Sequence, residues 1–189
     1  MIHIAYIGLG ANLPSAAGPP AATLAAAALR LASLGRITAR SSLYSTEPVG
    51  FADQPRFVNT AVALETELSP RALLEALLAI EHEFGRDRTP GLRNGPRTLD
   101  LDILLFGDLI VDEPDLQVPH PRLAGRAFAL VPLHEIAPLA ADPRTGNSVS
   151  QLLQSLSLIP GDAADAVVPI QSDLWRAGGA FEAAGASEP

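Results

Sequence analysis

The chain has 189 residues and a net charge of −8, and it contains neither cysteine nor lysine: all 13 basic residues are arginine. This excludes disulfides and thiolate metal sites, a Walker-type phosphate loop, which needs its lysine, and Schiff-base chemistry; the acidic balance also argues against unspecific nucleic-acid binding. The length suits one domain with a substantial core. No apolar run approaches the ~18 residues of a membrane span, and Met1–Tyr6 lack the basic start of a secretory signal. A cytoplasmic monomer with no nucleic-acid or membrane partner is expected.

Residues 3–9 read as a strand ended by Gly10, Ala11 and Asn12. Residues 20–34 are Ala-rich, with Leu24, Leu31 and Leu34 at helical spacing and Gly35 as the stop. Residues 36–45 alternate as a second strand, and a loop with Pro48, Gly50, Asp53 and Pro55 follows. A third strand covers 57–66, with Phe57, Asn59, Ala61 and Ala63 on one face. Ser69 and Pro70 then start a helix whose stripe of Leu73, Leu77, Ile80 and Phe84 runs to Gly85. The fourth strand follows Gly95-Pro96. A short segment around 108–118, with the look of a hairpin, and helices near 122–135 and 148–157 complete the order.

The order β-α-β-β-α-β predicts an α+β, ferredoxin-like sandwich with a mainly antiparallel sheet and additional C-terminal helices. Residues 1–159 form the expected domain. Residues 160–189 are Ala/Gly-rich and carry a net charge of −4, so they read as a weakly ordered tail with Trp175 as its anchor.

The chemistry concentrates in the fourth strand. Asp100 and Asp102 alternate with apolar residues and so point to one face, about 7 Å apart. Two carboxylates on an apolar strand repel and lose hydration unless a cation sits between them. Hard oxygen ligands with an open side suit Mg²⁺ carried in by phosphates, and Arg97 just upstream is suited to clamp those phosphates. Between Arg86 and Arg126, six arginines face seven acids, so an anionic ligand is plausible there together with metal rather than alone.

These residues, with Ala5–Leu13, Tyr44–Pro48, Asp53–Pro55, Val118–His120 and Val131–Pro138, make the chain resemble the 6-hydroxymethyl-7,8-dihydropterin pyrophosphokinase family. The resemblance implies pyrophosphate transfer from ATP to the pterin alcohol, giving AMP and the pterin diphosphate, in folate biosynthesis. By it, Asp100 and Asp102 hold two ATP-bound Mg²⁺ ions, and Arg86 and Arg97 join them as catalytic residues. Glu81, Arg88, Arg97, Ile103, His120 and Arg126 would surround ATP. Phe57 and Phe128 would stack on the pterin, with Asn59 and backbone groups around Thr46 and Val49 on its edge. Alone, the two phenylalanines would read as core; Asn59 on the same face as Phe57 needs a polar partner, which a ligand supplies. Asn94 stands where some members carry a Trp, Phe57 replaces a Tyr and Pro121 an aromatic. No side chain stands out as a general base, which leaves a metal-lowered alcohol pKa aided by Asp100. The rival readings are a non-catalytic ligand-binding module and a metal-dependent nucleotide hydrolase.

Overall fold

A computed structural model describes residues 1–48, 53–86, 95–157 and 167–177 of the chain. The elements begin with β1 (His3–Ala11), α1 (Pro20–Leu31), β2 (Arg36–Arg40), β3 (Leu43–Thr46), β4 (Phe57–Thr66), α2 (Pro70–Glu83) and β5 (Asp100–Phe106). A hairpin of β6 (Val111–Glu113) and β7 (Leu116–Val118) precedes a 3-10 turn at Leu123–Gly125. Then come α3 (Ala127–Ile136), α4 (Val149–Ser157), β8 (Val168–Ile170) and α5 (Asp173–Ala177). Among the described residues no helix is long and apolar enough to cross a membrane.

The main sheet runs β5-β1-β4-β3-β8 with β2 also on β4, and every pairing is antiparallel. This is the α+β, ferredoxin-like arrangement expected from the element order. Helices cover both faces. Ala5, Ile7 and Leu9 of β1 pack with α1 and α2, while Ala61, Leu104 and Leu105 pack with α3 and α4. Helix α2 starts where Ser69 Oγ accepts from the Ala72 N–H at 3.2 Å and Pro70 occupies the first turn. Its buried stripe is Leu73, Leu77, Ile80 and Glu81, and Gly85 ends it at φ +77°, a conformation glycine adopts without strain.

Two details differ from the sequence expectation. The strand expected over 36–45 breaks at Ser41 and Ser42, because the Ser41 hydroxyl accepts from Ala61 N–H at 3.0 Å and interrupts the ladder. Within the expected tail, β8 extends the sheet beside β3 and α5 buries Trp175, whose Nε1 donates to Ser41 O at 2.9 Å. Arg40 lies over that indole at 3.7 Å. A strand as short as Val168–Ile170 has almost no sequence signal, since it gains its hydrogen bonds from an edge already built.

In β5 the register shifts: Ile7 pairs with Ile103 but Tyr6 with Leu105, leaving Leu104 as the extra residue of a bulge. Leu104 and Leu105 therefore both join the α3/α4 side, and Phe106 returns to the α1/α2 side. Below the bulge, Asp100 and Asp102 alternate with the α1/α2-facing Leu101 and Ile103, so both carboxylates rise on the α3/α4 face. There the Asp100 and Asp102 side chains remain 24% and 36% exposed.

Candidate active site

Across the sheet, Asp100 stands opposite Gly10 and Gly10 opposite Asn59; Asp102 stands opposite Gly8 and Gly8 opposite Ala61. A Cβ on Gly10 would lie 2.7 Å from Asn59 Oδ1. Gly8 and Gly10 thus form a floor with no side chains of its own between the carboxylates and Asn59, over which the Asn59 amide and the Leu104 side chain fold closely. The Gly8/Gly10 pair was not singled out from sequence; two glycines at alternate positions of an apolar strand were the available signal. Asn59 is buried, its Nδ2 donating to Thr46 Oγ1 at 2.7 Å, and Phe57 follows on the same face.

Arginines meet the two carboxylates unequally. Asp100 accepts from Arg97 Nη1 at 2.7 Å and also pairs with Arg86. Burial pushes the Asp100 carboxyl up, but Arg86 and Arg97 outweigh it and hold the group below the ordinary carboxylate range. Asp102 has Arg126 Nη1 at 3.3 Å and His120 Nε2 at 4.0 Å. Burial and the neighbouring Asp100 charge push Asp102 up to about 6, with Arg126 opposing. The same arginines reach the aromatic residues: Arg97 lies 5.4 Å from the Phe57 ring centre and Arg126 5.4 Å from that of Phe128. Two arms result, Asp100–Arg97–Phe57 and Asp102–Arg126–Phe128.

Beneath Asp100 lies Glu81, only 1% exposed. Its Oε1 accepts from Leu101 N–H at 2.8 Å and from Arg86 Nη1 at 2.9 Å. This differs from the expectation that Glu81 faces a nucleotide: it points from α2 into the protein and holds β5 and Arg86 in place. Asn12 was likewise not assigned a role from sequence. Buried at the end of β1, it accepts the Arg97 N–H at 2.7 Å and donates from Nδ2 to Gln54 Oε1 and Pro55 O, both at 3.0 Å. One amide thereby joins the segment carrying Arg97 to the segment leading into Phe57. Its signal was a polar residue closing an apolar strand.

His120 is pushed down to about 4 by burial, with Arg126 and Arg122 adding to it. Its Nδ1 accepts from the Arg122 N–H at 3.1 Å, and its Nε2 lies 3.4 Å from Arg126 Nη1 on the side facing Asp102. Beside Asp102 and His120 opens a cavity of about 260 Å³, walled by Leu74 of α2, Leu101 and Ile103 of the edge strand β5, and Pro114–Gln117 of the hairpin. Among the described residues no three of His, Cys, Asp and Glu converge as a ready-made metal cage. The donor set is two carboxylates, which suits a hard cation whose other ligands are phosphate and water. Val49, Arg88 and Asn94 lie outside the described residues.

A family model described as 7,8-dihydro-6-hydroxymethylpterin-pyrophosphokinase matches residues 6–138. The chain is 52% identical over 140 residues to the 2-amino-4-hydroxy-6-hydroxymethyldihydropteridine pyrophosphokinase of Pseudomonas aeruginosa, a match covering 73% of this chain and 83% of the relative. To the protein of the same name from Synechocystis it is 42% identical, covering 82% and 76%. In shape it resembles the Plasmodium falciparum HPPK-DHPS A437G variant solved with pteroate, with a TM-score of 0.67 at 16% identity. That match covers 90% of this chain and 47% of the solved one, so the chain spans about half the length of that solved protein. The chain belongs to the 7,8-dihydro-6-hydroxymethylpterin-pyrophosphokinase family.

Proposed function

We propose that this pyrophosphokinase of folate biosynthesis takes ATP as donor and 6-hydroxymethyl-7,8-dihydropterin as acceptor, and that both meet on the glycine floor between Asp100, Asp102 and Asn59. The observation that carries the reading is the pair of arms, each joining one carboxylate to one phenylalanine through an arginine. A site for a nucleotide alone has no use for two aromatic faces with a buried amide beside them. Phe57 and Phe128 offer faces to a flat pterin, and Asn59 offers a donor and an acceptor to its edge. The cavity beside His120, with Ile103 on its apolar wall, takes the nucleoside end of ATP.

Arg86 and Arg97 neutralise Asp100 while the site holds no anion. An arriving triphosphate competes for both guanidiniums, which fork onto phosphate oxygens and release the Asp100 carboxylate. Arg126 exchanges between Asp102 and phosphate in the same way. Asp100 and Asp102 would then hold Mg²⁺, which when bound supplies charge neutralisation on the phosphates and a lowered alcohol pKa. His120 turns its Nε2 edge toward the phosphate chain. The pterin hydroxymethyl oxygen attacks the β-phosphorus and gives up its proton to solvent, the bond to the α-phosphate oxygen breaks and AMP leaves; the side chains align the groups and balance charge.

The deciding experiment follows AMP, pterin diphosphate and inorganic phosphate together, with ATP, Mg²⁺ and the pterin. Equal amounts of AMP and pterin diphosphate, with no phosphate, support the reading. Pterin-independent phosphate release overturns it in favour of a hydrolase.

A further inference from the structure

The hairpin β6–β7 forms the outer wall of the cavity beside Asp102, through Pro114, Asp115, Leu116 and Gln117. It pairs only with itself and stands apart from the main sheet. Leu116 and Val118 anchor it in the main core, while its outer side and turn carry the exposed acids Asp112, Glu113 and Asp115, of which Asp112 accepts from Gln117 Nε2 at 2.8 Å.

Arg71 reaches two of these acids from the first turn of α2. Its guanidinium forks onto Asp115, Nη1 to Oδ2 at 2.8 Å and Nη2 to Oδ1 at 2.8 Å, and Nη2 also pairs with Glu113. Arg71 stands three residues before Leu74, the α2 residue lining the same cavity, so both rise from one side of the helix. The other end of the hairpin is held by Arg144, which donates to Pro119 O at 3.1 Å and to Val111 O and Val118 O at 3.4 Å. Arg144 thus holds the base, where β6 and β7 come together. Arg71 ties the turn, which forms the cavity wall, to α2.

We propose that Arg71 is a positioning residue for the nucleotide: its fork onto Asp115 and Glu113 holds the hairpin against α2 and so sets the width of the cavity beside Asp102. The inference rests on the reading that this cavity takes the nucleoside end of ATP. It assigns Arg71 no contact with substrate and no part in the pterin subsite, which lies along the sheet toward β3 and β4. Arg71, Glu113 and Asp115 are 36%, 48% and 70% exposed, so salt screens the fork and the effect is moderate.

Two variants test it, Arg71→Met, which keeps the aliphatic stem, and Arg71→Lys, which keeps the charge without the fork. Amide hydrogen exchange over residues 111–118 is measured in the ligand-free protein. Dissociation constants are measured for Mg²⁺ with a non-hydrolysable ATP analogue, and for the pterin. Arg71→Met should speed exchange across the hairpin and weaken the nucleotide about three- to tenfold, leaving the pterin constant unchanged. Arg71→Lys should recover part of the loss, and raising salt from about 50 to about 500 mM should narrow the gap between wild type and Arg71→Met. Unchanged exchange overturns the clamp. Faster exchange with unchanged nucleotide affinity overturns the positioning role, as does equal weakening of nucleotide and pterin. Failure of the wild-type protein itself to bind the ATP analogue overturns the nucleotide reading and the positioning role with it, while the exchange result still decides whether the clamp exists.

Discussion

Asp100 and Asp102 are the same residue type on the same strand face, two positions apart, yet their surroundings push their carboxyls in opposite directions. Asp100 is bracketed by Arg86 and Arg97, with Glu81 steadying Arg86 from below. Asp102 has a single longer contact to Arg126 and lies beside a neutral His120. The first is held ionised and the second is pushed up to about 6. Strand spacing puts two carboxylates where a pair of cations can be shared, but the protonation of each is decided by what other elements bring to it.

Removing each carboxyl is the strongest test of that difference. Asp100→Asn and Asp102→Asn should each lower kcat by about 10³ or more, measured as AMP formed, since each removes charge stabilisation made in the transition state. Their stabilities should diverge. Asp100→Asn takes the carboxylate partner from Arg97 and one of two from Arg86, and lowers Tm. Asp102 has its folded-state pKa raised above the unfolded value near 3.8, so its contribution to stability is fully present below that value and is lost as pH rises through about 6. In metal-free protein, Asp102→Asn should therefore gain Tm over wild type as pH rises from about 4 to about 6, with the gap constant above that. A gap independent of pH would break the comparison.

Arg86→Ala attacks the Asp100 arm from below. It strips the buried Glu81 and half-buried Asp100 of a shared partner, and urea unfolding should show a loss of about 3–5 kcal/mol, the usual cost of breaking a buried ion pair from one side. Arg126→Met should cost clearly less, because Asp102 can take up a proton instead.

The glycine floor sharpens the contrast on the ligand side. Gly10→Ala, beside Asp100, drives a Cβ to 2.7 Å from Asn59 Oδ1, whereas Gly8→Ala, beside Asp102, meets only the Leu104 side chain at 3.3 Å. Steady-state kinetics should show the pterin KM rising about tenfold or more for Gly10→Ala, the scale of about 1.4 kcal/mol, and changing little for Gly8→Ala.

The smallest effect is on pH dependence. Protons and cations compete for Asp102, so calorimetric affinity for the Mg²⁺–nucleotide pair should fall up to about tenfold per pH unit below 6. Arg126→Met removes the charge opposing that protonation and should move the midpoint upward; a downward shift would contradict the assigned cause.

Much of this was legible beforehand because it depends on short-range regularities. Period-two alternation carries Asp100 and Asp102 to one face, and likewise Phe57 with Asn59; Ser69, Pro70 and Gly85 bound α2 by backbone chemistry that needs no partner. Glu81 shows where such reading stops. Its helical position follows from spacing, but its burial against Leu101 N–H depends on how α2 crosses β5. Asn12 and the glycine floor escaped for the same reason, since their importance lies in residues more than 40 positions away.

Strand-and-helix order, the shared face of the two carboxylates and the family to which the motifs point all follow from residue order, because local periodicity and turn residues act over a few positions. Which arginine meets which aspartate, that Asp102 rather than Asp100 holds its proton more tightly, and that Arg71 reaches the cavity wall emerge from the packing of distant elements. Those outcomes turn on burial and on charges brought together across the sheet, and Coulomb energies depend on distance in space rather than along the chain.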